Sequence, residues 1–348
     1  MKIATLSNAA ALHTRRWVEY FRERGHDVRL WSLEVGPSEL GAARLTSIPA
    51  PGFIRYPLAT PAALRALEAF RPDVVDAHFV PNYGLIGALT GVRPLVVSPW
   101  GSDLLLNVAA DPIRAARARY VLERADAVIA DSDNLAAAAR PLGGGERVHA
   151  IPWGIDPRRF RPRGAREPGL ILSTRMHEAV YDLPTILEGV RPVLERRPNA
   201  RLAIAGSGAL TESLRRRAAR DLPRGRVEFV GLLDPELLAA WLARAEVYVS
   251  ASRSDSTSLS LLEAMAAGAI PVVTDLDGNR EWVADGDGAR LFPIGDAPAL
   301  TQALDRALDD PAWGERARAR NRAVIETRGD RAVNMARVEA LFASLARG

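Results

Sequence analysis

The chain has 348 residues, no cysteine and a formal net charge of +4. At ~100–200 residues per domain, this length predicts two or three domains. The absence of cysteine excludes disulfides and thiolate metal sites and fits a reducing compartment. The positive charge is spread along the chain, with no basic stripe carrying interleaved aromatic residues, so nucleic acid is not a predicted partner.

The first residues form a short apolar strand and lack the longer apolar core of a secretory signal. No run reaches the ~18 apolar residues of a membrane span. We therefore expect a cytoplasmic protein. Arginines of the first half, such as Arg55 and Arg65, allow peripheral contact with an anionic membrane surface. Nothing in the sequence indicates an oligomeric state.

The first half of the chain alternates short β-branched runs with amphipathic stretches. Strands are predicted at residues 2–6, 27–33, 73–78, 94–98, 126–131 and 147–151, and helices at 13–24, 61–70 and 113–124. Several of these strands are apolar on both faces, which is typical of parallel strands covered by helices on both sides. The alternation predicts a parallel sheet with right-handed crossovers.

Residues 152–169, PWGIDPRRFRPRGAREPG, have the proline, glycine and arginine content of a linker. After them the same alternation resumes. Strands are predicted at 169–174, 201–206, 226–230, 246–250 and 270–274, and helices at 183–196, 212–219 and 235–243. We therefore predict an N-terminal domain over 1–160, a C-terminal domain over 161–330, and an amphipathic helix within 331–348 that packs back on the N-terminal domain.

The predicted fold is α/β, with two doubly wound, Rossmann-like parallel sheets facing each other across a cleft. In such sheets ligands bind beyond the carboxyl ends of the strands. A cleft between two such edges would hold a donor on one wall and an acceptor on the other, and would exclude water when the domains close.

The most informative stretch runs from 250 to 281 as a strand end, a polar loop, a helix and the next strand. The start of that helix carries unpaired N–H groups and about half a positive charge, which suits a phosphate. Asp255 and Glu263 lie a little over two helical turns apart, on nearly one face. A helix cap and an ordinary polar residue would also explain them. However, Glu263 lies in an otherwise apolar helix, where a buried carboxylate needs a partner.

Residues 255–273, D-STSLSLL-E-AMAAGAIPVV, resemble the signature of the retaining nucleotide-sugar glycosyltransferases of family 4, which have the GT-B fold. Further matching segments are IPWGIDPRRF at 151–160, AGSG at 205–208, FVGLL at 229–233, GNREWV at 278–283 and DGDGARLFPIGD at 285–296. The resemblance is specific over the C-terminal half and covers the N-terminal half mostly as pattern.

The resemblance implies that Asp255 contacts the transferred sugar, Glu263 binds the donor ribose and Arg175 binds the donor phosphates. A guanidinium at that position offers a charge-assisted fork onto phosphate oxygens, although a solvated arginine at a strand end would need no such role. The other implied donor-side residues are Gly206, Gly231, Thr257, Ser258, Leu259 and Glu281.

Three departures from the family pattern concern the donor. The first acid is Asp255 where the family usually has Glu. Val180 occupies the position of the family's phosphate lysine, which makes Arg253 a candidate for the second cation. Serine and threonine at 256–258 replace a small-aromatic-small run.

The N-terminal half is expected to bind the acceptor. Candidate residues in its strand-to-helix turns are Asn8, His13, His78, Trp100 and Asp103. Asp103 would orient an acceptor hydroxyl or take its proton, although a turn residue or helix cap in that place needs no function. His13 is equally compatible with a helix surface.

The resemblance implies front-face attack, in which the leaving diphosphate helps to deprotonate the acceptor. The predicted substrates are a nucleotide sugar and a saccharide, lipid-linked or small-molecule acceptor, with no cofactor and no metal. The alternative is a non-catalytic nucleotide-sugar-binding protein on the same fold. A sugar phosphorylase or nucleotide-sugar epimerase also stays open. A nicotinamide dehydrogenase is disfavoured, because the first strand-to-helix turn lacks G-x-G-x-x-G.

Overall fold

The computed structural model describes residues 1–45, 52–108 and 111–347. These residues form two compact units. The first unit contains Met1–Pro152 and Val333–Gly348, and the second contains Trp153–Ala332. The division falls after Pro152 rather than after residue 160, because Ile155 already pairs with Asp330 in a parallel bridge of the second unit.

The first unit is built on one parallel sheet. Its strands are β1 (Lys2–Leu6), β2 (Asp27–Ser32), β3 (Ala43–Arg44), β4 (Val74–His78), β5 (Leu95–Ser98), β6 (Ala127–Ala130) and β7 (Val148–Ala150). The seven strands lie in the order β3-β2-β1-β4-β5-β6-β7. The order reverses between β1 and β4, which places the topological switch point beyond the carboxyl ends of those two strands.

Helices cover both faces of this sheet. They are α1 (Leu12–Glu23), α2 (Arg55–Phe70), α3 (Leu85–Thr90), α4 (Pro112–Arg124) and α5 (Asp133–Ala139). Helix α2 begins at Arg55 rather than at the predicted residue 61. Proline is common at the first position of a helix, which favoured a start at Pro61, but here Pro61 lies inside the helix. Every residue of β4 and β5 is buried, as the doubly apolar strand pattern predicted.

The second unit repeats the plan. Its strands are β8 (Glu167–Ser173), β9 (Arg201–Ala205), β10 (Val227–Gly231), β11 (Ala245–Ser250), β12 (Ile270–Thr274), β13 (Ala284–Asp285) and β14 (Gly288–Phe292). They form a seven-stranded parallel sheet in the order β10-β9-β8-β11-β12-β14-β13. Strands β8 and β11 are neighbours at the switch point, so the loops that follow them meet at one edge of the sheet.

The helices of the second unit are α6 (Leu183–Arg196), α7 (Thr211–Asp221), α8 (Pro235–Arg244), α9 (Leu259–Ala267), α10 (Asp277–Arg280), α11 (Ala297–Leu308) and α12 (Pro311–Val324). Helices α8 and α12 each start with an Asp–Pro pair. The Asp234 carboxylate accepts from the amides of Glu236 and Leu237, while proline supplies the first helical residue. Local sequence therefore fixes where these helices begin. The pair of doubly wound parallel sheets confirms the predicted α/β fold class.

The last helix, α13 (Arg331–Leu345), enters the first unit at Val333. There the Phe342 ring stacks on Phe21 of α1 at 5.2 Å, with the two planes 5° apart. The Glu339 carboxylate pairs with Arg24 at 2.5 Å and with His26 at 2.7 Å. The apolar face of the helix is thus buried against α1 by an aromatic pair with a polar rim. In the described part of the chain, every helix is too short or too polar to cross a membrane.

Candidate active site

The start of α9 lies at the switch point of the second sheet, directly after β11. Ser258 caps the helix: its backbone is extended and its hydroxyl accepts from the amide of Leu261 at 3.4 Å. Ser256, Thr257 and Ser258 are all buried, whereas Leu259 is half-buried. The first turn of a helix leaves backbone N–H groups without intrahelical partners, so this end of α9 has the polarity needed by an anion.

Arg175 reaches this helix start from the loop after β8. Its Nη1 donates to the hydroxyls of Ser258 and Ser260, each at 2.7 Å, and its Nη2 donates to Asp255 at 2.7 Å. The guanidinium also lies 4.1 Å from the ring centre of Tyr181. Only 7% of Arg175 is exposed, so the interpretation of a solvated strand-end arginine does not hold.

The electrostatics of this cluster keep Arg175 charged. Burial lowers its pKa, but the Asp255 carboxylate, helped by Tyr248 and Tyr181, outweighs burial and leaves the pKa above its ordinary value. Burial also raises the pKa of Tyr248, whose hydroxyl donates to Ser260 at 2.8 Å. The site therefore contains one balanced charge pair surrounded by neutral hydroxyls.

The two acids of the signature differ in environment. The Asp255 side chain is 17% exposed and is held by Arg175. Glu263 is 4% exposed, in a helix whose other residues from Leu261 onward are also buried. The expectation that Glu263 is a buried carboxylate is met.

Close backbone approaches fix the loop that carries Asp255. A Cβ added to Gly278 would lie 2.0 Å from the carbonyl oxygen of Ser256, so only glycine fits there. Gly206 has a φ of +112°, and a Cβ there would lie 2.5 Å from the carbonyl oxygen of Arg175. The Gly206 amide donates to the carbonyl of Gly231 at 2.7 Å. Gly206 and Gly231 thus bring the ends of β9 and β10 up to the strand end that carries Arg175.

Arg253 lies on the same loop as Asp255. Its backbone amide donates to the Val180 carbonyl at 2.8 Å, and its exposed guanidinium pairs with Asp182 at 2.9 Å. Val180 and Arg253 are therefore adjacent in space, as a compensating cation would require. Glu281 is half-buried just after α10, and its carbonyl accepts from Arg328 at 3.0 Å.

In the first unit, the predicted acceptor-side residue His78 is buried. Its Nδ1 lies 3.1 Å from the Ser7 hydroxyl and its Nε2 lies 3.0 Å from Asp76, which is itself buried. The rings of Trp17 and Trp100 lie 5.1 and 5.8 Å from the His78 ring. His78 thus ties β1 to β4 and offers no exposed nitrogen to an acceptor.

The other acceptor-side candidates lie around the same strand ends. His13 and Trp100 are half-buried, and their rings lie 5.7 Å apart. The Asn8 side-chain oxygen accepts from the Ala10 amide at 2.9 Å, so Asn8 shapes the turn before α1.

Asp103 requires a correction. It is fully buried, and its two oxygens accept from the amides of Val80 and Trp100, each at 2.9 Å. Burial raises its pKa to about 6. Because Asp103 is fully buried and holds both amides, it positions the loops after β4 and β5 and is not exposed to an acceptor. The alternative interpretation, a turn residue without a chemical role, describes it better.

Three residues around Arg175 were not predicted from the sequence: Ser260, Tyr248 and Tyr181. Ser260 carried a weak signal, as a polar residue within the apolar run LSLLEAMAA. The two tyrosines carried none, since each becomes a partner only when separate strands and loops meet. In residues 1–45, 52–108 and 111–347, no group of three or more His, Asp or Glu side chains is placed to hold a metal ion.

Comparison with known proteins agrees with this architecture. The structure is similar to sucrose-phosphate synthase from Thermosynechococcus elongatus, with a TM-score of 0.84, 21% identity and 99% of each chain covered. The chain therefore has the GT-B fold. Residues 10–159 match the model of Glycosyltransferase Family 4, and residues 167–310 match that of Glycosyl transferases group 1. The chain belongs to these glycosyltransferases.

Two curated relatives have the same name. The chain is 32% identical to a phosphatidyl-myo-inositol mannosyltransferase of Mycolicibacterium smegmatis over 46% of its own length and 42% of that protein. It is 26% identical to one of Propionibacterium freudenreichii over 84% of its own length and 80% of that protein. The first match thus spans less than half of the relative.

Proposed function

We propose that this enzyme transfers a sugar from a nucleotide-diphosphate sugar to a hydroxyl of a saccharide, lipid-linked or small-molecule acceptor, with retention of configuration. The observation that carries the proposal is the Arg175 guanidinium, buried and fixed by three hydrogen bonds at the serine-capped start of α9. A fixed cation beside the amino-terminal end of a helix stabilises the charge that develops on a departing diphosphate.

Front-face attack is favoured over a double displacement. A double displacement needs a free carboxylate on the face of the sugar opposite the leaving group. The carboxylate of Asp255 is instead paired with Arg175 at 2.7 Å, beside the proposed phosphate site. In the proposed mechanism Asp255 accepts a hydrogen bond from a hydroxyl of the transferred sugar. A phosphate oxygen of the donor takes the proton from the attacking hydroxyl of the acceptor substrate.

The proposal assigns the donor to the second unit. The buried carboxylate of Glu263 accepts hydrogen bonds from the ribose hydroxyls, and the start of α9 holds the diphosphate. Because Arg175 and the helix amides already supply positive charge to the diphosphate, no metal is needed in this mechanism. The relatives named for transfer of mannose to a phosphatidyl-inositol support a lipid-linked acceptor as one candidate.

A thermal-shift screen against UDP, GDP, ADP and their sugars tests the donor assignment, because a ligand that binds the native state raises the melting temperature. Incubation of the best nucleotide sugar with candidate acceptors, followed by NMR of the product's anomeric proton, then tests transfer and retention. An inverted product contradicts the proposed mechanism. Binding without transfer or hydrolysis indicates the non-catalytic alternative, and an acceptor-independent change of the sugar indicates an epimerase.

A matched arginine provides the control for both measurements. Arg217 forms an ion pair with Glu188 at 3.1 Å on the exposed side of α7. Arg217→Ala removes a guanidinium of the same unit without touching the start of α9, so we expect wild-type nucleotide binding and turnover. Equal losses in Arg217→Ala and Arg175→Ala would mean that the assay reports only general destabilisation.

A further inference from the structure

A second polar cluster lies in the first unit, and the proposed donor chemistry does not use it. Glu34 follows β2, Arg55 begins α2, and Asn82 lies in the turn after β4. All three side chains are half-buried. The carboxyl ends of parallel strands share one edge of the sheet, and ligands of such sheets bind beyond that edge.

Two tyrosines hold these polar groups in place. The Glu34 carboxylate accepts from Arg55 Nη2 and from the hydroxyl of Tyr83, and that hydroxyl accepts from the Leu33 amide at 2.8 Å. Burial raises the pKa of Tyr83, so its hydroxyl keeps the proton that it donates to Glu34. The cluster is therefore ordered before any ligand arrives.

The hydroxyl of Tyr56 fixes the other side of the cluster. It accepts from Arg55 Nη2 at 2.9 Å and from Asn82 Nδ2 at 3.1 Å. The guanidinium of Arg55 also lies 4.9 Å from the centre of the Tyr56 ring. Arg55 and Asn82 are thereby oriented by one hydroxyl, although they come from different elements.

The cluster keeps hydrogen-bonding capacity in reserve. Both bonds of Arg55 come from Nη2, and its Nε and Nη1 groups have no partner within the described ranges 1–45, 52–108 and 111–347. The side chains of Arg55 and Glu34 are 34% and 20% exposed. A guanidinium has five N–H donors and a carboxylate about four acceptor positions, so both groups can bind a ligand without breaking their own pair.

The cluster also borders the first strand-to-helix turn of the sheet. The Ala9 amide donates to the hydroxyl of Ser32 at 3.0 Å, and a Cβ added to Gly36 would lie 2.4 Å from the Ala9 carbonyl oxygen. The segment that carries Glu34 is thus packed directly on the turn that contains Asn8. A ligand bound by Glu34 and Arg55 would lie beside the switch point of the first sheet.

We propose that Glu34, Arg55 and Asn82 bind vicinal hydroxyls of the acceptor, and that this acceptor portion is a neutral polyhydroxylated ring such as a sugar or a cyclitol. Paired donors and acceptors with no net charge match hydroxyls, which donate and accept at once, better than they match a phosphate. The inference rests on the proposed function, because it concerns the acceptor of that transfer.

Saturation-transfer NMR on the full chain tests the inference without turnover. The probes are methyl α-D-mannopyranoside and myo-inositol, each compared with mannose 1-phosphate or myo-inositol 1-phosphate. We expect the neutral probes to bind the wild type at least as tightly as the phosphates. We expect Arg55→Gln and Glu34→Gln to lower the affinity for the neutral probes by roughly tenfold, which is the effect of losing one hydrogen bond to a charged group.

Arg93→Gln is the matched control. Arg93 pairs with Asp126 at 2.8 Å. The two residues lie just before the strands β5 and β6, so the pair lies at the amino ends of the strands, away from the proposed site at the carboxyl ends. The Arg93→Gln variant should bind the probes like the wild type. Asn82→Ala, which leaves the Arg55–Glu34 pair intact, provides a further variant if either glutamine substitution unfolds the chain, and it should weaken the same probes.

Three results would overturn the inference: no binding of the neutral probes to the wild type, unchanged binding in the variants, or clearly tighter binding of the phosphates. The last would identify an anion site instead. Nucleotide-induced thermal shifts, measured in parallel, separate this failure from failure of the proposed function, because they report on the donor site in the second unit.

Discussion

The guanidinium of Arg175 lies 2.7 Å from the carboxylate of Asp255, although 80 positions separate the two residues in the chain. They meet because β8 and β11 are neighbouring parallel strands, whose carboxyl ends deliver both loops to one edge. The pair gives Asp255 a balanced charge and leaves Arg175 fixed against the helix start. A fixed cation costs no reorganisation when charge develops on a leaving group.

Replacing Arg175 by alanine should lower kcat by about 100-fold or more, in the range found when one donor to a developing anion is removed. The Arg175→Lys variant should recover only part of this loss, because an ammonium cannot bridge Asp255 and two serine hydroxyls as the guanidinium does. Initial rates at saturating donor measure both effects. Near-normal turnover of Arg175→Ala would refute the assigned role.

Gly278→Ala should displace the loop that carries Asp255, since the new Cβ would lie 2.0 Å from the Ser256 carbonyl oxygen. We expect a stability loss of about 1–3 kcal/mol from the overpacking, together with weaker nucleotide binding. Urea denaturation and calorimetric titration measure the two effects.

Gly225→Ala is the control for this substitution. Gly225 has a φ of +75° with nothing within 4 Å of the added Cβ, so the substitution strains the backbone away from the site. It should lower stability by about 1–2 kcal/mol and keep wild-type nucleotide affinity. Wild-type nucleotide affinity in Gly278→Ala would mean that the loop position does not matter for the donor.

Asp103 should make stability depend on pH. Burial raises its pKa from the ordinary value of 3.8 to about 6, so the folded chain holds this proton more tightly than the unfolded chain. The resulting stabilisation is fully present below pH 3.8 and is lost as pH rises through 6. By linkage it amounts to a change of about 3 kcal/mol across this window.

The difference in unfolding free energy between the wild type and Asp103→Asn isolates this effect from other titrating groups. The asparagine side chain has one oxygen, so it cannot accept hydrogen bonds from the backbone amides of both Val80 and Trp100 as Asp103 does. The variant should therefore be less stable than the wild type at every pH in this range. The wild-type advantage should shrink as pH increases from 4 to 6.5. A difference that stays constant with pH would contradict the raised pKa.

Chelation should leave the transferase rate unchanged. The proposed leaving-group stabilisation comes from Arg175 and the start of α9, and a metal would have to compete with this cation for the same phosphate oxygens. Rates in EDTA and after added Mg²⁺ or Mn²⁺ measure the effect, with a known metal-dependent transferase as the assay control. A rate that collapses in EDTA and returns with metal would overturn metal independence.

Phe342→Ala should destabilise the first unit by about 3–5 kcal/mol, the usual cost of removing a buried aromatic ring. The ring is fully buried and stacks on Phe21 at 5.2 Å. Circular dichroism during thermal unfolding measures the loss. The exposed neighbour Arg347 provides a control, since Arg347→Ala removes a side chain of the same terminal segment without touching the core. Equal effects in the two variants would argue against a specific aromatic contact.

The strands that are apolar on both faces were predictable from the sequence, and so was the start of α9. Runs such as VVDAH and LVVS are typical of a strand buried on both faces, and the polar loop before LSLLEAMAA is typical of a capped helix start. Strand β14 was missed, because its sequence GARLF directly follows DGD at 285–287, and glycine and aspartate there favour a turn.

The chemical partners of the predicted residues were not predictable. Periodicity fixes which face of an element is buried, so local sequence indicated Glu263 as a carboxylate in an apolar helix. It could not tell that both oxygens of Asp103 would be taken by backbone amides, or that His78 would be enclosed between Ser7 and Asp76. Both depend on loops that the sheet order brings together.

The sequence by itself determined the alternation of strands and helices, the capped helix start and the motif that carries Asp255 and Glu263, because each depends on residues close together in the chain. Only the tertiary structure decided that Arg175 binds Asp255 and that Glu34 binds Arg55, because those contacts depend on strand order. Strand order is set by long-range packing, which leaves no periodic signal in a single sequence.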